Sequence, residues 1–227
     1  MARLPKGRQT NLTPEAVVDE ALRQFDEGTG EPTIRSLAAG LGTGPSAIYH
    51  YFPSRAAIVQ RAVERVWREA MANLLGLIPR PLEAEPREVL VACGLASRRA
   101  WLAHFRICPY LAASPGGDDF TRDALGAMAV LFERLDLEGD EAAAAFYAYG
   151  TFMLGSILFA ATRLIANEQL GEGGPTDTKH TPEMADLSGE ATRRSLDHVI
   201  GVSITDPTED EDLFVNALRG LVEGLGR

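Results

Sequence analysis

Apolar residues recur every three to four positions along this chain, and nowhere do they alternate in twos between hairpin turns, so the pattern predicts helices throughout. Val17, Val18, Ala21, Leu22 and Phe25 form one stripe behind Thr13-Pro14, an N-cap followed by proline at the first helical position. Gly28 and Gly30 stop that helix. Thr33 caps a second, short helix with Leu37, Ala38 and Leu41 facing inward, and Gly42 suits the left-handed residue just past its end. After the tight turn Thr43-Gly44, a third helix runs from Pro45 through Ile48 and Tyr49 to Tyr51 or Phe52, where Pro53 ends it and Ser54 caps the next. Two short helices joined by a glycine-containing turn are a helix-turn-helix.

The fourth helix spans Ser54 to about Leu77 with Ile58, Ala62, Val66 and Ala70 at four-residue spacing, long enough to link two domains; Pro79 and Pro81 close it. Further helices are expected over 86–104, 109–113, 118–135, 140–167, 189–199 and 208–225, with a loop rich in Gly, Thr, Pro and charge over 171–188. The most apolar stretch, Ala142 to Ala161, is broken by Tyr147, Tyr149, Gly150, Thr151 and Ser156 and reads as a buried helix, not a membrane span. The fold class is all-α. A helix-turn-helix domain over 1–56 and a larger helical domain over 57–227 are the expected division.

Charge sharpens this division. A net charge of −10 spread evenly would oppose a nucleic-acid partner, but residues 1–61 hold seven Lys/Arg against six Asp/Glu, so the acidity lies in the second part. An N-terminus carrying Arg3, Lys6 and Arg8, followed by prolines and acids where a secretory signal needs an apolar run, points to the cytoplasm. Abundant Arg, Ala, Gly and Leu fit a bacterial, GC-rich coding bias. Cys93 and Cys108 read as buried thiols or, alternatively, a redox pair. The histidines at 50, 104, 180 and 198 lack metal-ligand spacing and no nucleophile-base set or phosphate loop accompanies them, so neither metal, cofactor nor enzymatic activity is expected.

A helix-turn-helix reads DNA because its second helix enters the major groove and projects side chains from its N-terminal end. Here that end is Thr43, Gly44, Pro45, Ser46 and Ala47, small enough for close backbone approach, followed by Tyr49, His50 and Tyr51, whose polar tips suit bases or phosphates. The run Thr33-Ile34-Arg35-Ser36-Leu37-Ala38-Ala39-Gly40-Leu41-Gly42, continued by Ile48-Tyr49-His50-Tyr51-Phe52-Pro53-Ser54-Arg55, closely resembles the DNA-binding domain of the tetracycline-repressor (TetR) family. The resemblance implies a base contact for Arg35, recognition-helix roles for Ser46, Ala47, Tyr49, His50 and Tyr51, and a phosphate grip for Arg55. Lys6 and Arg8 would extend this surface as an arm.

The second part resembles the tetracycline-repressor branch over Leu102 to Phe159, especially Phe146 to Gly155, and again over Asp212 to Leu225. That resemblance implies a four-helix dimer interface; Ala143, Gly150, Leu154, Leu158, Phe214, Leu218 and Leu221 are the residues expected there, although an intramolecular core fits them equally. Met71, Leu74, Leu75, Trp101, His104, Phe105, Phe132 and Phe152 are expected to line an effector pocket. His104 matches a ligand- and metal-contacting histidine of that branch, but Met71 stands where the branch has another, so a more hydrophobic effector than tetracycline with its magnesium is expected. The expected function is a homodimeric, effector-responsive regulator, most simply a repressor released from a palindromic operator. A redox sensor using Cys93 and Cys108, or a constitutive DNA-binding protein, are the alternatives.

Overall fold

The computed structural model describes residues 12–28, 30–77, 83–113, 126, 128–170 and 207–225, and every regular element among them is helical. In chain order these are α1 (Pro14–Asp26), α2 (Ile34–Gly40), α3 (Pro45–Tyr49), α4 (Arg55–Leu77), α5 (Pro86–Ala103), a 3₁₀ segment (Phe105–Ala113), a short α6 over 128–133, α7 (Gly139–Leu170) and α8 (Pro207–Gly224). Lys6, Arg8, the loop over 171–188, the helix expected over 189–199 and the first half of that over 118–135 lie outside the described residues.

The first three helices are tied by caps before they are tied by packing. Thr13 Oγ1 accepts from Ala16 N–H at 3.1 Å. Thr33 and Ser36 form a reciprocal capping box at 3.0 and 2.9 Å, satisfying two orphan donors of α2. Ser36 then donates to Gln24 Oε1 and Gln24 to Glu20 Oε1, each at 2.7 Å, so the cap of α2 is chained to the flank of α1. Arg23 beside Glu20 holds that carboxyl below its ordinary range despite partial burial. Gly42 takes the expected left-handed conformation at φ 63°, and Thr43 N–H reaches back to the Ala38 carbonyl at 2.8 Å to close α2.

Beneath these caps Val17, Ala21, Phe25, Leu37, Ala38, Ile48 and Phe52 are buried together with Ile58, Val59 and Ala62 of α4. α4 thus begins as the floor of the N-terminal trio. It continues as a wall against α5, its buried stripe extending through Val63, Val66 and Ala70 to meet Val89, Leu90, Cys93 and Trp101.

α7 departs from the sequence reading. It was expected to be buried; in the single chain only one face is, through Ala145, Tyr149, Met153, Ile157 and Ala161, while Tyr147 is 75% and Phe159 61% exposed. Both faces are apolar, but only one is packed against other elements among the described residues. By length and composition alone this helix could cross a membrane. It also starts one residue before the expected Asp140, at Gly139 with φ 54°, where the Glu138 carbonyl accepts from Glu141 at 3.1 Å. The segment expected as a short helix from Pro109 begins earlier, at Phe105, and winds as 3₁₀.

α8 is the second departure. Phe214 and Leu218, expected at a subunit interface, are buried inside the protomer with Val222, because positions 214, 218 and 222 form the inner stripe of an amphipathic helix. Ala217 and Gly220 face outward instead. Polar ties hold α8 in place: Asp210 pairs with Arg98 of α5 at 2.5 Å and with Arg163 of α7 at 3.4 Å, and Arg98 lies over the Phe214 ring at 4.8 Å. The three helices close on Gly94, where a Cβ would stand 2.4 Å from Leu218 Cδ2 and 3.1 Å from both Met153 Sδ and the Tyr149 hydroxyl. Gly94→Val is therefore expected to lower stability by about 1–3 kcal/mol through overpacking; a thermal melt matching the wild type would contradict this packing.

Candidate nucleic-acid interface and effector core

The residues singled out for DNA contact fall mostly on one exposed surface. Arg35 on α2 is exposed and has no ion-pair partner among the described residues. Gly44, Pro45, Ser46, Tyr49 and His50 are exposed, Tyr49 by 54%, while Thr43 and Ala47 are half-buried at the turn. Ile48 points the opposite way and is fully buried, so the five-residue α3 has an inner anchor and an outer face. Pro45 at the first position and Gly44 before it allow that face to begin without a bulky side chain.

Two of the expected residues are engaged within the chain. Tyr51 donates its hydroxyl to the Leu12 carbonyl at 2.8 Å and stacks edgewise on His50, so it pins the start of α1 while remaining 40% exposed. Arg55, expected on phosphate, is turned inward: it donates to the Pro32 carbonyl at 2.7 Å, to Glu31 at 2.7 Å and to the Tyr110 hydroxyl at 3.1 Å. A buried-side acceptor set outcompetes solvent for this guanidinium, and Tyr110 lies on the 3₁₀ segment, so Arg55 joins the N-terminal trio to the rest of the chain.

His104 joins them a second time. Its Nδ1 lies 2.9 Å from Asp26 at the end of α1, and its Nε2 lies 3.9 Å from Glu69 on α4. Both ring nitrogens thus face carboxylates. Arg106 makes a third link, donating to the Asp26 carbonyl and pairing with Glu168 of α7. Around these links lies an open cleft of about 560 Å³ between Phe25, Gly28, Glu31, Pro109, Tyr110 and Ile165. Burial, reinforced by Glu31, raises the Tyr110 phenol above its ordinary range, so it stays protonated and able to donate to Glu31.

The residues expected to line one pocket divide into three ring sets. Trp101, fully buried on α5, meets Trp67 of α4 at 6.4 Å. Phe132 meets Phe146 and Tyr149 of α7, edge-on in both cases. Phe152 stacks on Phe214 at 5.8 Å. Met71 is half-buried one turn beyond Trp67, and Phe105 is half-buried beneath the Arg106 guanidinium. Leu74 and Leu75 belong to α4, but their side chains lie outside the described residues.

Sequence reasoning missed Trp67, Asp26, Glu31, Arg106 and Tyr110. Trp67 sits four residues before Met71 and so on the same helical face, a spacing that would have found it. The others are charged or phenolic residues in loops and helix ends, whose partners are 23 or more positions away in sequence. No local pattern marks them. Both cysteines are buried, and burial pushes each thiol up to about 12. The nucleophilic thiolate is therefore scarce at neutral pH.

Comparison with known proteins fits this architecture. Residues 17–62 match the family described as bacterial regulatory proteins, tetR family. The chain is 27% identical, over 98% of its length and 80% of the other protein's, to the HTH-type transcriptional repressor DrrR1 of Streptomyces coeruleorubidus. A possible TetR family transcriptional regulator from Streptomyces coelicolor A3(2) superposes with a TM-score of 0.70 at 20% identity, covering 94% of this chain and 98% of that one. The Streptomyces coelicolor TetR family protein ActR, in complex with actinorhodin, superposes with a TM-score of 0.67 at 19% identity, covering 96% and 99%. The helix-turn-helix of this chain is thus matched in sequence by the tetR family of bacterial regulatory proteins, and its whole helical architecture is matched in space by the two Streptomyces coelicolor structures.

Proposed function

We propose that the chain is a homodimeric, cytoplasmic transcriptional repressor that reads a palindromic operator through α2 and α3 and is released by a small, largely hydrophobic effector held by the helices from α4 onward. The observation that carries this reading is the outward face of Arg35, Ser46, Tyr49 and His50, which is exposed and free of ion pairs among the described residues while Ile48 anchors it from below. The division falls near residues 56 and 57, at the head of α4. The relative DrrR1 is named a repressor, and ActR was seen with actinorhodin; both fit a repressor that answers to a small molecule.

In this reading Arg35 and Tyr49 contact base edges, Thr43, Gly44, Pro45, Ser46 and Ala47 let α3 approach the groove, and His50 and Tyr51 flank it. Arg55 reaches phosphate only by leaving Glu31 and Tyr110. Effector bound beside Met71, Trp101 and Phe105, with Phe132 and Phe152 deeper in the core, shifts α4 and the segment after α5, and His104 transmits the shift to Asp26. Ala143, Tyr147, Gly150, Leu154, Leu158 and Phe159 form the α7 face that a second copy covers, with Ala217, Gly220 and Leu221 of α8 beside it.

Selection from a random duplex pool is expected to recover a palindrome with half-sites about one helical turn apart. Against that sequence Arg35→Ala with Tyr49→Ala is expected to weaken binding by about tenfold or more while sedimentation still reports a dimer. Undiminished affinity would remove the reading surface from α2 and α3. Tyr147→Glu with Phe159→Glu is expected to yield monomers that retain helical circular dichroism; an intact dimer would place the interface elsewhere. The redox alternative draws no support from thiols held protonated by burial. Neither Cys93 nor Cys108 is expected to react with a disulfide reagent at pH 8 until the protein is unfolded, and rapid labelling of the native protein would revive that alternative.

A further inference from the structure

Buried indole nitrogens nearly always find an acceptor, because leaving a donor dry and unpaired forfeits its hydration for nothing. Two here do not. The Nε1 atoms of Trp67 and Trp101 are both buried, and neither has a hydrogen-bond acceptor among the described residues. The two rings lie side by side between α4 and α5, with centroids 6.4 Å apart and planes inclined by 43°. Trp101 is 0% exposed, and Met71, one turn beyond Trp67, is half-buried on the same face of α4.

The charges around the pair are already spent. On α4, Arg65 bonds Glu69 at 2.8 Å and lies 3.6 Å from Asp19, and Arg68 is engaged as well. On α5, Arg98 is held by Asp210 and Arg99 by Glu211, while His104 lies between Asp26 and Glu69. A carboxylate or phosphate brought beside the indoles would find, among the described residues, only cations already engaged, and would bear the cost of a poorly paired buried charge; Arg98 Nε has no acceptor of its own, but its guanidinium is paired with Asp210. A pure hydrocarbon would leave both donors unpaired. A neutral oxygen acceptor on an apolar frame satisfies both conditions.

We infer that Trp67 and Trp101 are the hydrogen-bonding end of the effector site, and that the effector is an uncharged, mostly apolar compound whose oxygen acceptors take the two indole N–H groups. The inference rests on the reading of this core as effector-binding and adds to it the donor residues and the chemical class. It also changes the expectation of a merely hydrophobic effector: selectivity comes from acceptor oxygens, since a site built around donors rejects an analogue that lacks the acceptor more strongly than an apolar wall rejects a change in size.

The two indoles are the only tryptophans of the chain, so their emission reports directly on this site without any label. The full-length protein is titrated with 9-fluorenone and with fluorene, two compounds of nearly the same shape that differ by one ketone oxygen. Fluorenone is expected to bind about tenfold more tightly, and this preference, read as the ratio of the two affinities, is expected to fall toward unity in Trp67→Phe, in Trp101→Phe or in both. Each variant keeps one reporter indole. Equal affinity for the two compounds in the wild type would overturn the inference, as would binding of neither, or a preference unchanged in both variants; the wild-type ratio needs no variant to fold. Equal affinity is the outcome if buried water satisfies the donors. Failure of the regulator reading is registered separately, as an inability of the unliganded protein to retain any duplex from the random pool in a gel.

Discussion

Gly28 takes a backbone conformation that side chains rarely adopt. Its φ is 66°, and the space a Cβ would need is occupied by the Arg106 guanidinium at 2.9 Å. A side chain there would be strained by the backbone and would push away the residue that bonds the end of α1. Among the described residues, the end of α1 is held to the segment after α5 by Arg106 on the Asp26 carbonyl, by His104 on the Asp26 carboxylate, by the Phe25 ring edge-on to Tyr110 at 5.6 Å, and by the Glu31, Arg55 and Tyr110 cluster nearby. With α4, this joint connects the N-terminal trio to the helical core.

The joint is polar, and that choice has consequences. A hydrophobic interface of the same extent would contribute free energy in proportion to buried area and resist a small displacement. Partly exposed ion pairs contribute about 0–1 kcal/mol each and are geometrically demanding, so a shift of an ångström loses one set of bonds at modest cost. Allosteric coupling is of the order of 1–3 kcal/mol, comparable to exchanging one or two such contacts. By contrast the core on either side is apolar and closely packed: Ile48 under α3, Gly94 between α5, α7 and α8. The polar contacts thus sit beside the continuous apolar stripe of α4, which ties the N-terminal trio and the larger core into one cluster.

What the sequence made legible follows the same division. The caps at Thr13 and Thr33, the left-handed Gly42 and the burial of Ile48 are written in contiguous residues, because a helix end is satisfied by groups within four positions of it. The outward set at Arg35, Ser46, Tyr49 and His50 was legible for the same reason. The joint was not. Asp26 and His104 are 78 positions apart, and nothing local to either indicates the other. The faces of α7 and α8 were half legible: an apolar helix announces that it will be covered, but whether by its own chain or by another is decided by where its neighbours lie. Phe214 and Leu218 turned inward because Gly94 leaves room for Leu218, whereas Tyr147 and Phe159 are exposed, with no element opposite them among the described residues. The effector core was read as a list of large side chains, and it resolved into separate ring sets because aromatic residues at helical spacing serve each interhelical seam in turn.

Charge distribution completes the argument. A chain of net charge −10 approaches phosphate only if its acids are neutralised or averted. In the second half, Asp210 and Glu211 at the head of α8 are matched by Arg98, Arg163 and Arg99, and Glu168 near the end of α7 by Arg106, so much of the acidity there is compensated internally. In the first, Glu20 and Glu27 are bound by Arg23 on the flank of α1, and Glu31 by Arg55. Arg35 is left outward and unpaired among the described residues. With screening over about 8–10 Å at physiological salt, the local field at the mouth of α3 is set by Arg35, the outward helix N-terminus and the phosphates themselves, and the remote carboxylates of the second half count for little. The bulk charge of a regulator is therefore a poor guide to its partner, and the pairing state of a few arginines a good one.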